Sequence, residues 1–117
     1  MEGSMAKHIT TMKEVEFLGD SLEVLRGFPD GVCNDIGYQL HKIQAGKDPD
    51  DFKPMKTVGK GVYEIRVRDS SGAYRAFYIA TRKDCVYVLH CFQKKTEETL
   101  RKEIKKGKER LKSLPPE

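Results

Sequence analysis

From Val62 to Arg68 the chain alternates without a break, with Tyr63, Ile65 and Val67 on one side and Glu64, Arg66 and Arg68 on the other. A period of two is the mark of a half-buried β-strand. Asp69-Ser70-Ser71-Gly72 has hairpin-turn composition and leads into a second run, Ala73 to Thr81, aromatic and apolar except for Arg75. Arg82-Lys83-Asp84 turns the chain again, into Cys85 to Phe92. Val86, Tyr87, Val88, Leu89 and Phe92 make that run apolar on both sides, as a central strand requires. Upstream the period changes: Val32, Ile36, Leu40 and Ile43 form one stripe at helical spacing, stopped by Gly46. A shorter helix, Leu22 to about Gly27, precedes it with Asp20 or Ser21 as N-cap, and Val15-x-Phe17 predicts a first strand. Downstream, Thr96 is placed to cap a last helix carrying Leu100, Ile104 and Leu111. Gly107 weakens that helix and Pro115-Pro116 ends it.

This order predicts an α+β fold: an N-terminal strand and helical hairpin packed on an antiparallel sheet of about four strands, with a C-terminal helix. A chain of 117 residues holds one small core. Residues 1–11 read as a tag-like, disordered N-terminus, 12–113 as the domain and 114–117 as a tail. Lys47 to Gly61, with two Pro, two Gly and four Lys, reads as a loop long enough to mark a functional segment.

Composition narrows the classes. Charged residues make up 34% of the chain, yet 5 Tyr and 5 Phe remain to build a core, which argues against disorder. No apolar run approaches the ~18 residues that span a bilayer, and the first residues lack a signal-peptide pattern, so neither membrane nor secretion is expected. Cys85 and Cys91, on one strand, would lie about 20 Å apart, too far to bridge. A reduced, cytoplasmic protein fits the three cysteines, and no CxxC pair or Cys/His cluster suggests a metal site. The net charge of +4 is unevenly spread: Lys94 to Lys112 holds nine basic and four acidic residues, leaving the rest near neutral. A basic segment on a neutral body suits a polyanion such as nucleic acid, or equally a solvated helix face.

No phosphate loop, GxGxxG, HExxH or GxSxG is present, and the acids lie mainly on predicted helices and turns. What remains is a set of cations on strands: Arg66, Arg68 and Arg75, then His90, Lys94 and Lys95 at the end of the last strand. Stiffly held cations can grip phosphate, and the same set can cleave RNA through the ribose 2′-hydroxyl with neither metal nor cofactor. Arg75, flanked by Tyr74, Ala76 and Phe77, is an odd place for a solvating charge. His90 has two readings, a hydrogen-bonded core histidine or a proton-transfer group.

The segments Val62-Tyr63-Glu64-Ile65-Arg66-Val67-Arg68-Asp69, Gly72-Ala73-Tyr74-Arg75-Ala76-Phe77-Tyr78 and Val88-Leu89-His90-Cys91-Phe92-Gln93-Lys94-Lys95-Thr96, in that order, closely resemble the RelE/ParE toxin superfamily, nearest its phage-derived HigB-like branch. The resemblance runs from about Met12 to Leu111. It implies the toxin of a type II toxin–antitoxin pair, neutralised by a cognate antitoxin that often carries a helix-turn-helix domain. In the HigB and RelE branches the toxin acts as an mRNA interferase, an endoribonuclease cutting mRNA on the ribosome. Carried over, Arg66 or Arg68 together with Arg75 would hold the scissile phosphate. His90, Lys94 and Lys95 would transfer protons or contact phosphate, and Lys53, Lys56 and Lys60 would meet the RNA backbone. The chain departs from the branch after Thr96, where Glu97-Glu98 replaces a common proline. The ParE side shares the fold but inhibits DNA gyrase without cutting RNA, so a gyrase inhibitor and an inactive antitoxin-binding remnant stand as alternatives.

Overall fold

Strands that alternate in polarity build a sheet with two unlike faces, and the helices of this chain divide between them. The computed structural model describes residues 12–116, so the expectation for residues 1–11 lies outside it, as does Glu117. In chain order the elements are β1 (Glu14–Phe17), α1 (Ser21–Arg26), α2 (Asp30–Gln44), β2 (Phe52–Pro54), β3 (Val62–Asp69), β4 (Gly72–Ile79), β5 (Cys85–Lys94) and α3 (Glu97–Lys112). The five strands form one sheet in the order β1-β5-β4-β3-β2.

The α+β class holds, with two corrections to the expected sheet. It has five strands because β2 forms inside the stretch read as a loop, pairing antiparallel with β3, Lys53 opposite Glu64. It is not wholly antiparallel: β1 lies parallel to β5, Glu14 opposite Cys85 and Phe17 opposite Val88. The helical hairpin carries the chain across one face before β2 starts at the far edge. The returning meander therefore ends beside β1, running the same way.

One face is closed by α1 and α2. Val32, Ile36, Leu40 and Ile43 all turn inward with Leu25 against Ile65, Val67, Ala76, Val86 and Val88. Gly46, at φ 82°, ends this run as the left-handed stop that the sequence suggests. The other face is closed by α3, whose Leu100, Ile104 and Leu111 rest on Phe77, Ile79, Leu89 and Phe92 with Met55 and Val58. Thr96 caps α3 as expected, its Oγ1 accepting a hydrogen bond from Thr99 N–H at 3.0 Å. Asp20 does not cap α1 with its side chain; it reaches instead to Arg110 on α3, Nη2 to Oδ1 2.6 Å.

Gly107 has a packing reason that outweighs its poor helix propensity. It is the buried residue of α3, and a Cβ there would stand 3.0 Å from Phe77 and 3.2 Å from Val58. Gly37, in the middle of α2, meets nothing within 4 Å. The two glycines should therefore respond oppositely. Gly107→Val is expected to lower stability by about 1–3 kcal/mol through overpacking. Gly37→Ala is expected to raise it by up to about 1 kcal/mol through helix propensity. Urea denaturation of both variants checks the pair, and a neutral Gly107→Val would contradict the close approach of α3.

A cationic sheet face beside the last helix

The α3 face changes character along its length. On β4 the residues facing that side run Ile79, Phe77, Arg75 and Ala73; on β3 they run Val62, Glu64, Arg66 and Arg68; on β5 they include His90, Phe92 and Lys94. The apolar members pack with α3, and of the charged ones Glu64 and Arg75 are buried while Arg66, Lys94 and Arg68 are half-buried or exposed. Register brings Arg66 directly opposite Arg75, and Arg68 into one row with Ala73 and Lys94. Lys53 of β2 joins the row of Glu64, Phe77 and His90. Arg66, Arg68, Arg75, Lys94 and Lys53 thus share one face on four adjacent strands, as the strand alternation suggests.

Arg75 and Glu64 form the floor of that face. Both are buried, at 6% and 3% exposure, and Arg75 Nε lies 3.5 Å from Glu64 Oε1. Burial raises the Glu64 pKa, opposed by Arg75, Lys53, Arg66 and Lys94. Burial likewise lowers that of Arg75, opposed by Glu64, but a guanidinium stays protonated in proteins. Arg66, half-buried, has its Nε 4.0 Å from Asp51 and without a hydrogen-bond partner among the described residues. Lys94 Nζ lies 3.6 Å from Glu97 at the entry to α3.

The remaining expected site residues fall elsewhere. Lys95 is exposed and lines a recess of about 490 Å³ on the outer side of β5, with Asp20, Glu103 and Lys106. Lys56 and Lys60 are exposed on the loop after β2, where Met55 and Val58 turn inward instead. Lys60 borders Ile79, Thr81 and Arg82, the end of β4 away from Arg75. His90 is buried beneath α3: Nε2 meets Glu103, and Nδ1 accepts from Arg110 Nη1 at 3.0 Å. Arg110 also donates to the Leu89 carbonyl at 3.0 Å, and its bond to Asp20 holds that carboxyl below the usual range. His90 is thus a satisfied core histidine in a clasp joining β5, α1 and α3.

Glu64 has no motif of its own in the sequence. Alternation already placed it on the side of Arg66 and Arg68, and that was the available signal. A second recess, about 470 Å³, lies on the opposite face beside Phe52, Tyr63 and Tyr78. Neither recess includes Arg66, Arg75 or Lys94, which stand on the sheet face itself. Among the described residues no three His, Cys, Asp or Glu side chains gather to hold a metal ion. None of the described helices is long and apolar enough to cross a membrane.

The arrangement defines a small α+β domain that presents an open cationic sheet face. Residues 23–112 match the phage-derived Gp49-like protein family (DUF891), and the chain belongs to that family. Among solved structures it is similar to the toxin RelE of E. coli, determined in the free state as a mutant with two arginines changed to alanine. The likeness has a TM-score of 0.61 at 19% identity, over 80% of this chain and 96% of that one, and is a likeness of fold. No curated protein matches the chain. Family and fold together bear out the RelE superfamily resemblance carried by the three strand motifs.

The clasp has a pH signature. Burial, the largest influence, lowers the His90 pKa from 6.5, against the opposing pull of Glu103, while Arg110 and Lys106 add to the lowering. The unfolded chain therefore binds more protons than the folded one just below that value, and stability should fall as pH drops from about 6.5. His90→Gln, which does not titrate, should flatten that part of the profile. Thermal unfolding of both proteins between pH 5 and pH 8, a range chosen to bracket the ~6.5 reference value, checks this; identical slopes would refute it.

Proposed function

We propose that this protein is the toxin of a type II toxin–antitoxin pair, of the HigB-like branch, and that it stops translation by cutting mRNA on the ribosome in the cytoplasm. One observation carries the reading: Arg66 stands in register against Arg75 on the neighbouring strand, with Arg68, Lys94 and Lys53 on the same face. Like charges placed opposite one another destabilise a sheet by up to about 1 kcal/mol, and Arg75 carries a burial cost besides. A phosphate backbone laid over the face relieves the repulsion. The fold likeness to RelE, a toxin, supports the class.

Cleavage through the 2′-hydroxyl forms a 2′-O–P bond as the P–O5′ bond breaks, with one proton released and one taken up. Arg66 and Arg75 bear on the non-bridging oxygens, where negative charge accumulates in the transition state. Lys94, partly exposed at the strand end, donates a proton to the leaving 5′-oxygen, and the 2′-hydroxyl proton passes to water. Lys53 and Arg68 hold flanking phosphates. His90 stands apart from proton transfer while α3 is seated, because both ring nitrogens are occupied. Lys56, Lys60 and Lys95 contribute long-range attraction to ribosomal RNA, which makes docking salt-sensitive. The partner is a cognate antitoxin, of the helix-turn-helix type, that lays an acidic segment over the cations.

Mapping RNA 5′ ends after induction in bacterial cells tests the reading. New codon-linked ends and growth arrest are expected. Arg75→Ala should lower cleavage about 10²–10³-fold, whereas Arg101→Ala, on the exposed side of α3, should leave it unchanged. Intact transcripts with relaxed plasmid DNA would refute the nuclease reading and support a gyrase inhibitor. Absence of toxicity would support an inactive antitoxin binder.

A further inference from the structure

Glu64 is an acid seated among the cations proposed to receive RNA, and its placement poses a physical question. A carboxylate on a phosphate-binding face opposes the ligand, and this one is buried at 3% exposure beside an Arg75 that is nearly as buried, at 6%. Its neighbours by strand are Lys53 on β2, Arg66 on β3, Arg75 on β4 and Lys94 on β5. Its closest ionic contact is one-sided: Glu64 Oε1 approaches the Nε edge of Arg75 at 3.5 Å. Phe77, at 0% exposure, stands directly across the strand pair from it. A guanidinium is planar, so an ionic contact at Nε favours one direction of the side chain and of that plane. Arg75 itself keeps 6% of its surface exposed, at the margin of the cationic face.

We propose that Glu64 is a positioning residue, which holds Arg75 by its Nε edge so that the terminal nitrogens face the scissile phosphate. The assignment rests on the nuclease reading above and deepens it. A Glu64 that served stability alone would balance the buried charge of Arg75 without setting the cleavage rate.

Two readouts test this on the intact protein. In arginine side-chain NMR, the Arg75 Nε–H should exchange slowly with water in the wild type and at least tenfold faster in Glu64→Gln. In single-turnover cleavage of ribosome-bound mRNA, Glu64→Gln should slow the maximal rate at least tenfold with little change in the concentration for half-maximal rate. Glu64→Asp, which restores the charge, should recover part of that loss. The double variant Glu64→Gln/Arg75→Ala should cleave no more slowly than Arg75→Ala alone, because Glu64 acts through Arg75. Circular dichroism confirms folding, and Glu64→Asp serves if the amide variant fails to fold. A wild-type rate in the folded Glu64→Gln protein, additive losses in the double variant, or unchanged Nε–H exchange would each overturn the assignment. A wild type that does not cut mRNA overturns the nuclease reading and the cleavage role of Glu64 with it. In that case the exchange measurement still decides whether Glu64 holds Arg75.

Discussion

Coverage of the second sheet face is the constraint on which the rest of the molecule depends. Five strands expose two faces to solvent, and the helical hairpin closes one of them along its length with aliphatic side chains. The other has only α3, whose apolar residues Leu100, Ile104 and Leu111 cover the rows of Phe77, Ile79 and Leu89. Beyond that cover an apolar residue would be exposed and a charged one is tolerated. The cations are found there, and at the boundary the charges are buried and paired as Arg75 with Glu64. Where the helix stops decides where charge can stand.

Seating of α3 takes more than apolar contact. Gly107 lets the helix backbone approach the ring of Phe77. At one side Arg110 ties together the Leu89 carbonyl, His90 and Asp20. A guanidinium with three partners on two elements fixes rotation of the helix as well as its position. Asp20 gives up its role as a helix cap to serve here, which makes α1, only six residues long, dependent on α3 for part of its setting. The clasp and the cationic surface thus lie on one face but do different work. The first fixes the cover, and the second begins where the cover ends.

Much of the fold was legible because burial writes a period into the chain. Val32, Ile36, Leu40 and Ile43 are all buried, and the alternation from Val62 to Arg68 separates two real faces. What escaped was structure held by backbone or by long-range polar contacts. Phe52–Pro54 is a three-residue edge strand with a proline, held by pairing with β3, and leaves no pattern to read. The parallel pairing of β1 follows from topology, which no local window contains. Of the site, the strand positions Arg66, Arg68, Arg75 and Lys94 were visible through alternation. The separation of Lys95 and Lys60 from them was not, because a turn after a strand can send a side chain to either side. His90 could be read two ways until the partners Glu103 and Arg110, 13 and 20 residues away, were seen against it.

The pairing of β1 with β5 also has a consequence for synthesis. Glu14 finds its partner only at Cys85, and β5 separates β1 from every other strand. A nascent chain that has emerged only as far as β4 holds a hairpin and two helices, with no central strand to unite them. Closing so long a loop is entropically slow, and the sheet cannot be completed until the last third of the polypeptide is free. Arg75 and Lys94 therefore come together only in a nearly finished molecule, so a partially made chain is not yet able to present its cations as one surface.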